Sequence, residues 1–179
     1  PAPELVCLAR ASLRSRAVTT KLPSDLAFAP LGGEARELHA WLTTFHLASV
    51  VLDPYTNESA WVLKTAIRIL GDLRGSHARV NFIVTADEAD TKRFLGPIAD
   101  DFLVFCDPGR AIVKAMGLER LPAFAFIRVD GEIVATAEGW SSAAWRDVAE
   151  AIATTTKWRA PMIPAPGDPS PFAGSPANG

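Results

Sequence analysis

The chain has 179 residues, of which 49% are hydrophobic, so it is long enough to bury one substantial core and too short for two ordinary domains. Its 18 basic and 20 acidic residues are interspersed and give a net charge of -2, so no basic face is expected and nucleic acid is excluded as a partner class. The longest apolar runs fall far short of the roughly 20 residues that span a bilayer, so we expect no transmembrane helix.

Cysteine and histidine are too sparse and too scattered to predict a metal site. The only cysteines, Cys7 and Cys106, are far apart in the sequence and form neither a C-x-x-C pair nor a zinc cluster. His39, His46 and His77 fall on different predicted elements, without a carboxylate at a metal-binding spacing. We therefore expect no metal and no other cofactor. Scarce cysteine is typical of a reducing compartment and favours a cytoplasmic location, although a removed signal peptide would leave no trace.

After an irregular start, the first part of the chain is predicted to form two strands with a helix between them. Residues 1–25 show no sustained periodicity and are interpreted as an N-terminal arm, followed by a short edge strand at 26–28. Apolar residues at three- and four-residue spacing predict a helix over 34–45. The β-branched run 46–53, stopped by Pro54, is typical of a strand buried on both faces. Either Asn57 or Ser59 is expected to cap the next helix.

The elements that follow alternate between helix and strand until two consecutive strands and a last helix. They are predicted at 60–73 (helix), 78–85 (strand), 88–95 (helix), 101–106 (strand), 109–116 (helix), 123–129 (strand), 132–137 (strand) and 142–158 (helix). Asp130-Gly131 is a two-residue hairpin signal, so the last two strands should pair antiparallel. Residues 159–179 are rich in Pro, Gly, Ala and Ser and short of bulky apolar side chains, which predicts a disordered tail.

This order of elements indicates an α/β domain over residues 26–158, with a mixed sheet covered by helices on both faces. The segment Val50-Val51-Leu52-Asp53-Pro54-Tyr55-Thr56-Asn57-Glu58-Ser59 resembles the strand and active turn of thioredoxins, typified by V-D-F-W-A-P-W-C-G-P-C. Residues 117–126 resemble the family's G-V-x-G-x-P-T segment, in which the proline, here Pro122, is cis. Asp130-Gly131 and Gly139 resemble the hairpin and glycine that follow it.

On these matches the chain resembles the thioredoxin-like superfamily, and within it the TlpA-like and peroxiredoxin-like subgroup. The resemblance implies a three-layer sandwich with a central mixed β-sheet flanked by helices. It also places Thr56 and Ser59 at the positions of the two active cysteines. A hydroxyl group has no accessible anionic form near neutral pH, so we expect neither dithiol oxidoreductase nor peroxidase activity.

The resemblance further implies a binding groove between the turn and the proline loop, where an extended peptide would pair with Leu121, the residue before the cis-proline. The residues of this candidate groove are Tyr55, Thr56, Asn57, Glu58, Ser59, Leu121 and Pro122. The favoured hypothesis is a redox-inactive thioredoxin-like protein that binds another protein through this groove. Partner identity and oligomeric state stay open.

Two alternatives assign chemistry to the same chain. In one, the hydroxyl of Thr56 or Ser59 replaces a cysteine and activates a thiol-bearing or other small substrate. In the other, Cys106 or Cys7 acts alone as a redox thiol. A helix-capping turn explains Thr56 and Ser59 without any catalysis.

Overall fold

The computed structural model describes residues 20–179, so Cys7 and most of the predicted N-terminal arm lie outside the described residues. The strands are β1 Thr20–Lys21, β2 Ala27–Pro30, β3 Arg36–Glu37, β4 His46–Leu52, β5 Ala78–Val84, β6 Leu103–Cys106, β7 Arg120–Leu121, β8 Ala123–Ile127, β9 Glu132–Glu138 and β10 Ser175–Pro176. The helices are α1 Leu38–Trp41, α2 Asn57–Leu73, α3 Glu88–Leu95, α4 Ile98–Asp101, α5 Ala111–Ala115 and α6 Ser142–Thr156.

Eight of the strands form one mixed sheet in the order β1-β9-β8-β4-β5-β6-β2-β3. The central strands β4, β5 and β6 are parallel, while β8 runs antiparallel to β4 and to β9. The hairpin predicted at Asp130-Gly131 connects β8 to β9. Strand β4 lies in the middle of the sheet, so the turn that follows its last residue, Leu52, is held by the most buried part of the fold.

Helices cover both faces of the sheet. Side chains of β4 alternate between the two faces, so that Val50 packs with α2 and α6 while Val51 packs with α1 and α5. Trp145 of α6 is fully buried, and its indole Nε1–H donates to the carbonyl of Gly139 at 2.9 Å. These layers confirm the predicted α/β sandwich with a central mixed sheet. Within residues 20–179, none of the helices has the length and apolar character needed to cross a bilayer.

The prediction of a helix over 34–45 is wrong except for its middle turn. Residues Arg36 and Glu37 form β3 and pair with β2, and only Leu38–Trp41 is helical. The predicted apolar stripe still faces inward, since Leu38 and Leu42 are buried. One helical turn is enough to bury Leu38 and Leu42, while the backbone of the two residues before it pairs with β2.

The start of α2 also differs from the sequence expectation. The helix begins at Asn57, and Thr56 is its N-cap residue without a side-chain capping hydrogen bond. Neither Asn57 nor Ser59 is therefore the cap. Ser59 instead faces inward at the first turn, where it is fully buried.

The prediction of a disordered tail at 159–179 is wrong. Ile163 and Ala177 are buried, and the carboxylate of Asp168 accepts two hydrogen bonds from the Arg68 guanidinium, both at 2.9 Å. Phe172 exchanges main-chain hydrogen bonds with Trp140. The segment is too poor in apolar residues to form a core of its own, but it orders on the surface of the finished domain. At the other end, β1 pairs with β9, so the sheet already begins within the predicted arm.

His46, the first residue of β4, makes the stability of the fold depend on pH. Its Nδ1 accepts the main-chain N–H of Val129 at 2.9 Å, which requires an unprotonated nitrogen. Burial, and after it the positive charge of Arg128, lowers the pKa of His46, with Asp130 acting in the opposite direction. In the unfolded chain the pKa is about 6.5, so this stabilisation is present above that pH and is lost as the pH falls toward the lower pKa of the folded state.

We therefore expect His46→Asn, whose amide oxygen accepts the same N–H without titrating, to flatten the pH dependence of stability. Urea unfolding of wild type and variant between about pH 7.5 and about pH 5.5 measures this, and the free energy of unfolding of the wild type should fall more steeply. Parallel curves for the two proteins would contradict the prediction.

Candidate functional site

The turn after β4 is closed by the main chain and side chain of Asp53. The carbonyl of Asp53 accepts two hydrogen bonds from Thr56, one from its main-chain N–H at 3.2 Å and one from its hydroxyl at 3.1 Å. The carboxylate Oδ1 of Asp53 accepts the N–H of Tyr55 at 3.0 Å. The Oγ of Ser59 accepts the N–H of Asp53 at 2.9 Å. These bonds fix the path of the chain from the central strand into α2.

Thr56 and Ser59, which the resemblance places at the two cysteine positions, face each other in this turn. Their Oγ atoms are 3.5 Å apart. Ser59 is fully buried and its oxygen already accepts the Asp53 N–H, so its hydroxyl is not presented to a ligand in the groove. Thr56 is half-buried and is the more accessible of the two.

The three histidines, all within the described residues, are not placed to activate these hydroxyls. His46 begins β4, at the opposite end of that strand from the turn, and its main-chain N–H bonds to the carbonyl of His77. His39 on α1 contacts the Ser24 carbonyl and Glu37. A Ser or Thr nucleophile needs a base within hydrogen-bond reach, and no histidine supplies one here.

A buried ion pair lies directly behind the turn. Asp53 Oδ2 is 2.9 Å from Arg110 Nη2, and the two side chains are only 3% and 15% exposed. Arg110 adopts the left-handed conformation, with φ of +57°, which is unfavourable for a residue with a Cβ. Its Nη1 also donates to the carbonyl of Ala177 at 2.5 Å. Arg110 therefore joins the turn to the C-terminal segment.

Tyr55 is the exposed aromatic residue of the turn, with 65% of its surface accessible. Its hydroxyl donates to Asp90 Oδ2 at 2.5 Å, and this hydrogen bond raises the pKa of Tyr55. An open cleft of about 310 Å³ adjoins it, lined also by Pro54, Arg93 and Phe94. Tyr55 is thus an exposed aromatic side chain beside this cleft.

The proline loop is the segment that the resemblance predicts on the other side of the groove. The Leu121–Pro122 peptide bond is cis, and Leu121 is fully buried. The main-chain edge of β7, which the sequence predicts to pair with a peptide, is occupied by β10 of the same chain. We call residues 174–177 the tail strand. Ser175 of the tail strand stands opposite Leu121.

The tail strand also contacts the turn side of the groove. The hydroxyl of Ser175 donates to the carboxylate of Glu58 and lowers the pKa of that group. Ser175 thus connects Glu58 on α2 with Leu121 on β7, two residues that the sequence predicts in one groove. Asn57 is exposed at the first position of α2.

Cys106 lies at the end of β6 and is buried. Burial raises the pKa of the Cys106 thiol, and its Sγ lies 3.7 Å from the hydroxyl of Thr91. A thiol with a raised pKa has little of the thiolate form that redox exchange requires. In the part of the chain that the structure describes, no cluster of three His, Cys, Asp or Glu side chains could hold a metal ion.

Sequence reasoning missed Arg110 and the tail strand. Arg110 follows a predicted turn and belongs to no motif, and its contacts depend on a left-handed backbone conformation that cannot be read from the sequence. The tail strand was missed because the composition of residues 159–179 is typical of a disordered segment. The sequence feature that could have pointed to the tail strand is the presence of Gly139 and Gly174. In the structure both have positive φ, and their backbones lie against each other.

Comparison with known proteins gives structural matches only. No family model and no curated protein matches this chain. A putative thiol:disulfide interchange protein DsbE from Chlorobium tepidum matches with a TM-score of 0.64 at 16% identity, over 77% of this chain and 96% of the other. A peroxiredoxin Q mutant from Xanthomonas campestris matches with a TM-score of 0.60 at 14% identity, over 76% and 95%. A hypothetical protein from Sinorhizobium meliloti matches with a TM-score of 0.61 at 15% identity, over 89% and 93%. At such identities, the likeness is one of fold.

Proposed function

We propose that this chain, which has a thioredoxin-like fold, is a redox-inactive module that binds another protein through the groove between Tyr55 to Ser59 and Leu121-Pro122. The fold is what it shares with thiol:disulfide interchange proteins and peroxiredoxins. By the resemblance to thioredoxins, Thr56 and Ser59 stand at the positions of the two active cysteines.

One observation carries the binding role. The main-chain edge of β7 pairs with an extended segment, β10, in antiparallel register beside the cis-proline. An edge that holds one extended segment has the geometry to hold another, because main-chain hydrogen bonds supply binding that depends little on sequence. The groove therefore retains the peptide-pairing half of a thioredoxin site while lacking the thiol half.

The absence of thiol chemistry is supported by the surroundings of each candidate. Ser59 is buried and bonded to the main chain, and Cys106 is buried with a raised pKa. A hydroxyl cannot form the mixed disulfide on which exchange depends. A binding role uses the remaining features of the site, namely the exposed ring of Tyr55, the polar start of α2 and the β7 edge.

Affinity capture with groove variants tests this role. The full chain, immobilised and exposed to its native lysate, should retain a stoichiometric protein partner, and the variants Tyr55→Ala and Asn57→Arg should reduce retention about tenfold or more if these residues are central to the interface. Both side chains are exposed, so the cost in stability should be small, about 1 kcal/mol or less, from the lost Asp90 hydrogen bond or from a positive charge at the start of α2.

The matched control is Val134→Ala, an exposed apolar residue of β9 that lies near the His46 end of the sheet, away from the turn. This variant should retain the partner like the wild type. A partner that is retained equally by the Tyr55, Asn57 and Val134 variants, or a wild-type chain that retains none, would contradict binding through the groove.

A further inference from the structure

The tail strand is paired to the proline loop as an added β-strand. Ser175 stands opposite Leu121 and Pro176 opposite Arg120, and the N–H of Ala177 donates to the carbonyl of Glu119 at 2.8 Å. This arrangement is strand addition to an exposed edge, made within one chain. The segment therefore occupies the site at which the proposed partner would pair.

Two glycines allow this close approach. A Cβ on Gly174 would lie 2.7 Å from the Leu121 carbonyl oxygen and 3.2 Å from the Cα of Gly139. A Cβ on Gly139 would lie 2.5 Å from the carbonyl oxygen of Phe172. At both places the neighbour is backbone, which cannot rotate away. A ligand that follows this path must have glycine where Gly174 lies.

A small enclosed pocket receives the side chain of Ala177. Ala177 is fully buried within the apolar cluster that also contains Leu121 and Val113. The carbonyl of Ala177 is held by Arg110, which is tied to Asp53 of the turn. The pocket thus has room for a methyl group, and a charged side chain there would be buried without a partner.

The tail strand is joined to the domain by a two-residue pairing with β7, by hydrogen bonds to the carbonyls of Gly174 and Ala177, and by the burial of Ala177. Upstream, Asp168 is bound by Arg68 and by the hydroxyl of Thr65 at 2.9 Å, and Phe172 shares main-chain hydrogen bonds of 2.8 and 3.0 Å with Trp140. Beyond Phe172, the pairing with β7 is short and Pro176 is exposed. Short pairings at a surface open at a small fraction of the free energy of global unfolding.

We propose, on the basis of the binding function above, that residues 174–177 are an internal copy of the ligand of this groove, and that a partner binds by displacing them. The partner presents an extended segment of the type Gly-Ser-Pro-Ala, with glycine against the Leu121 carbonyl and a methyl side chain in the Ala177 pocket. The tail strand therefore closes the groove until such a segment replaces it.

The test uses a fluorescein-labelled peptide with the sequence of residues 171–179, PFAGSPANG, and full-length protein. Gly174→Ala places a Cβ against the Leu121 carbonyl and should expel the tail strand, leaving the groove itself unchanged. By fluorescence anisotropy the peptide should bind Gly174→Ala about tenfold or more tightly than wild type, because the open form is a minor population of the wild type. Ala177→Glu, which expels the tail strand by a different route, should bind the peptide similarly.

Two controls isolate the groove. Gly167→Ala has a comparable positive φ but open space around the added Cβ, and it should bind the peptide no better than wild type. A peptide with glutamate in place of the pocket alanine should not bind any variant. Equal peptide binding by wild type and both tail variants, or binding by none of them, overturns the proposal. Either result leaves the capture experiment free to succeed, since a partner can engage Tyr55 without displacing the tail.

Discussion

Replacing Arg110 with alanine should lower the free energy of unfolding by about 3–5 kcal/mol, the cost typical of removing one member of a buried ion pair. The Asp53 carboxylate is 3% exposed and would be left without its cation. The variant also loses the hydrogen bond to the Ala177 carbonyl and keeps a Cβ in the left-handed conformation. Urea unfolding monitored by tryptophan fluorescence measures the loss.

A double-mutant cycle with Asp53→Asn separates the ion pair from the other contacts of Arg110. Once the carboxylate is neutral, the further change Arg110→Ala should cost clearly less than it does in the wild type, because no buried charge is left unpaired. Arg110→Lys retains the charge and should fall between wild type and alanine. Additive effects of the two single changes would show that the pair does not carry the stability assigned to it.

Introducing cysteine at both motif positions should create thiol:disulfide exchange in a chain for which we propose none. The hydroxyl oxygens of Thr56 and Ser59 are 3.5 Å apart, so cysteines with the same side-chain directions would lie close to bonding distance. The start of α2 offers free N–H groups and a positive dipole end, which lower the pKa of a thiol at position 56. We expect Thr56→Cys/Ser59→Cys, made together with Gly174→Ala so that the tail strand does not cover the β7 edge, to reduce insulin at least about tenfold faster than Gly174→Ala alone.

The single variants Thr56→Cys and Ser59→Cys serve as controls, and neither should turn over, because a mixed disulfide needs a second thiol to resolve it. The wild-type chain should show no activity above background. Wild-type activity that disappears in a Cys7→Ser/Cys106→Ser variant would refute the redox-inactive assignment and support the single-cysteine alternative.

The central sheet was predictable because its strands are short, mostly apolar segments bounded by turn residues. Strands β4 and β5 are mostly apolar and largely buried, as expected for parallel strands covered on both faces, and Asp130-Gly131 has the composition of a tight hairpin. The prediction of a helix over 34–45 was wrong although its apolar spacing was correct. Periodicity indicates which residues are buried, but it does not indicate that the backbone before Leu38 pairs with a neighbouring strand.

The candidate site was predictable only where it follows the motif. The positions of Thr56, Ser59 and Leu121 could be read from the sequence, and in the structure Ser175 of the tail strand links Glu58 of the turn side with Leu121. Asp53 and Arg110 pair across separate loops, so no local pattern links them. The tail was misjudged because composition describes what a segment can bury alone, whereas Ala177 is buried by the rest of the domain.

The attachment of Phe172 to Trp140 sets how strongly an outside ligand must bind. Because Ser175 follows Phe172 after only a short link, the tail strand competes from a tethered position, at an effective concentration in the range of about 1 mM or above. A free peptide at micromolar concentration would therefore seldom displace the tail strand from β7. If a partner displaces the tail strand as proposed, the groove would favour one that also binds a second surface, such as the one around Tyr55, because that contact raises the effective concentration of its extended segment.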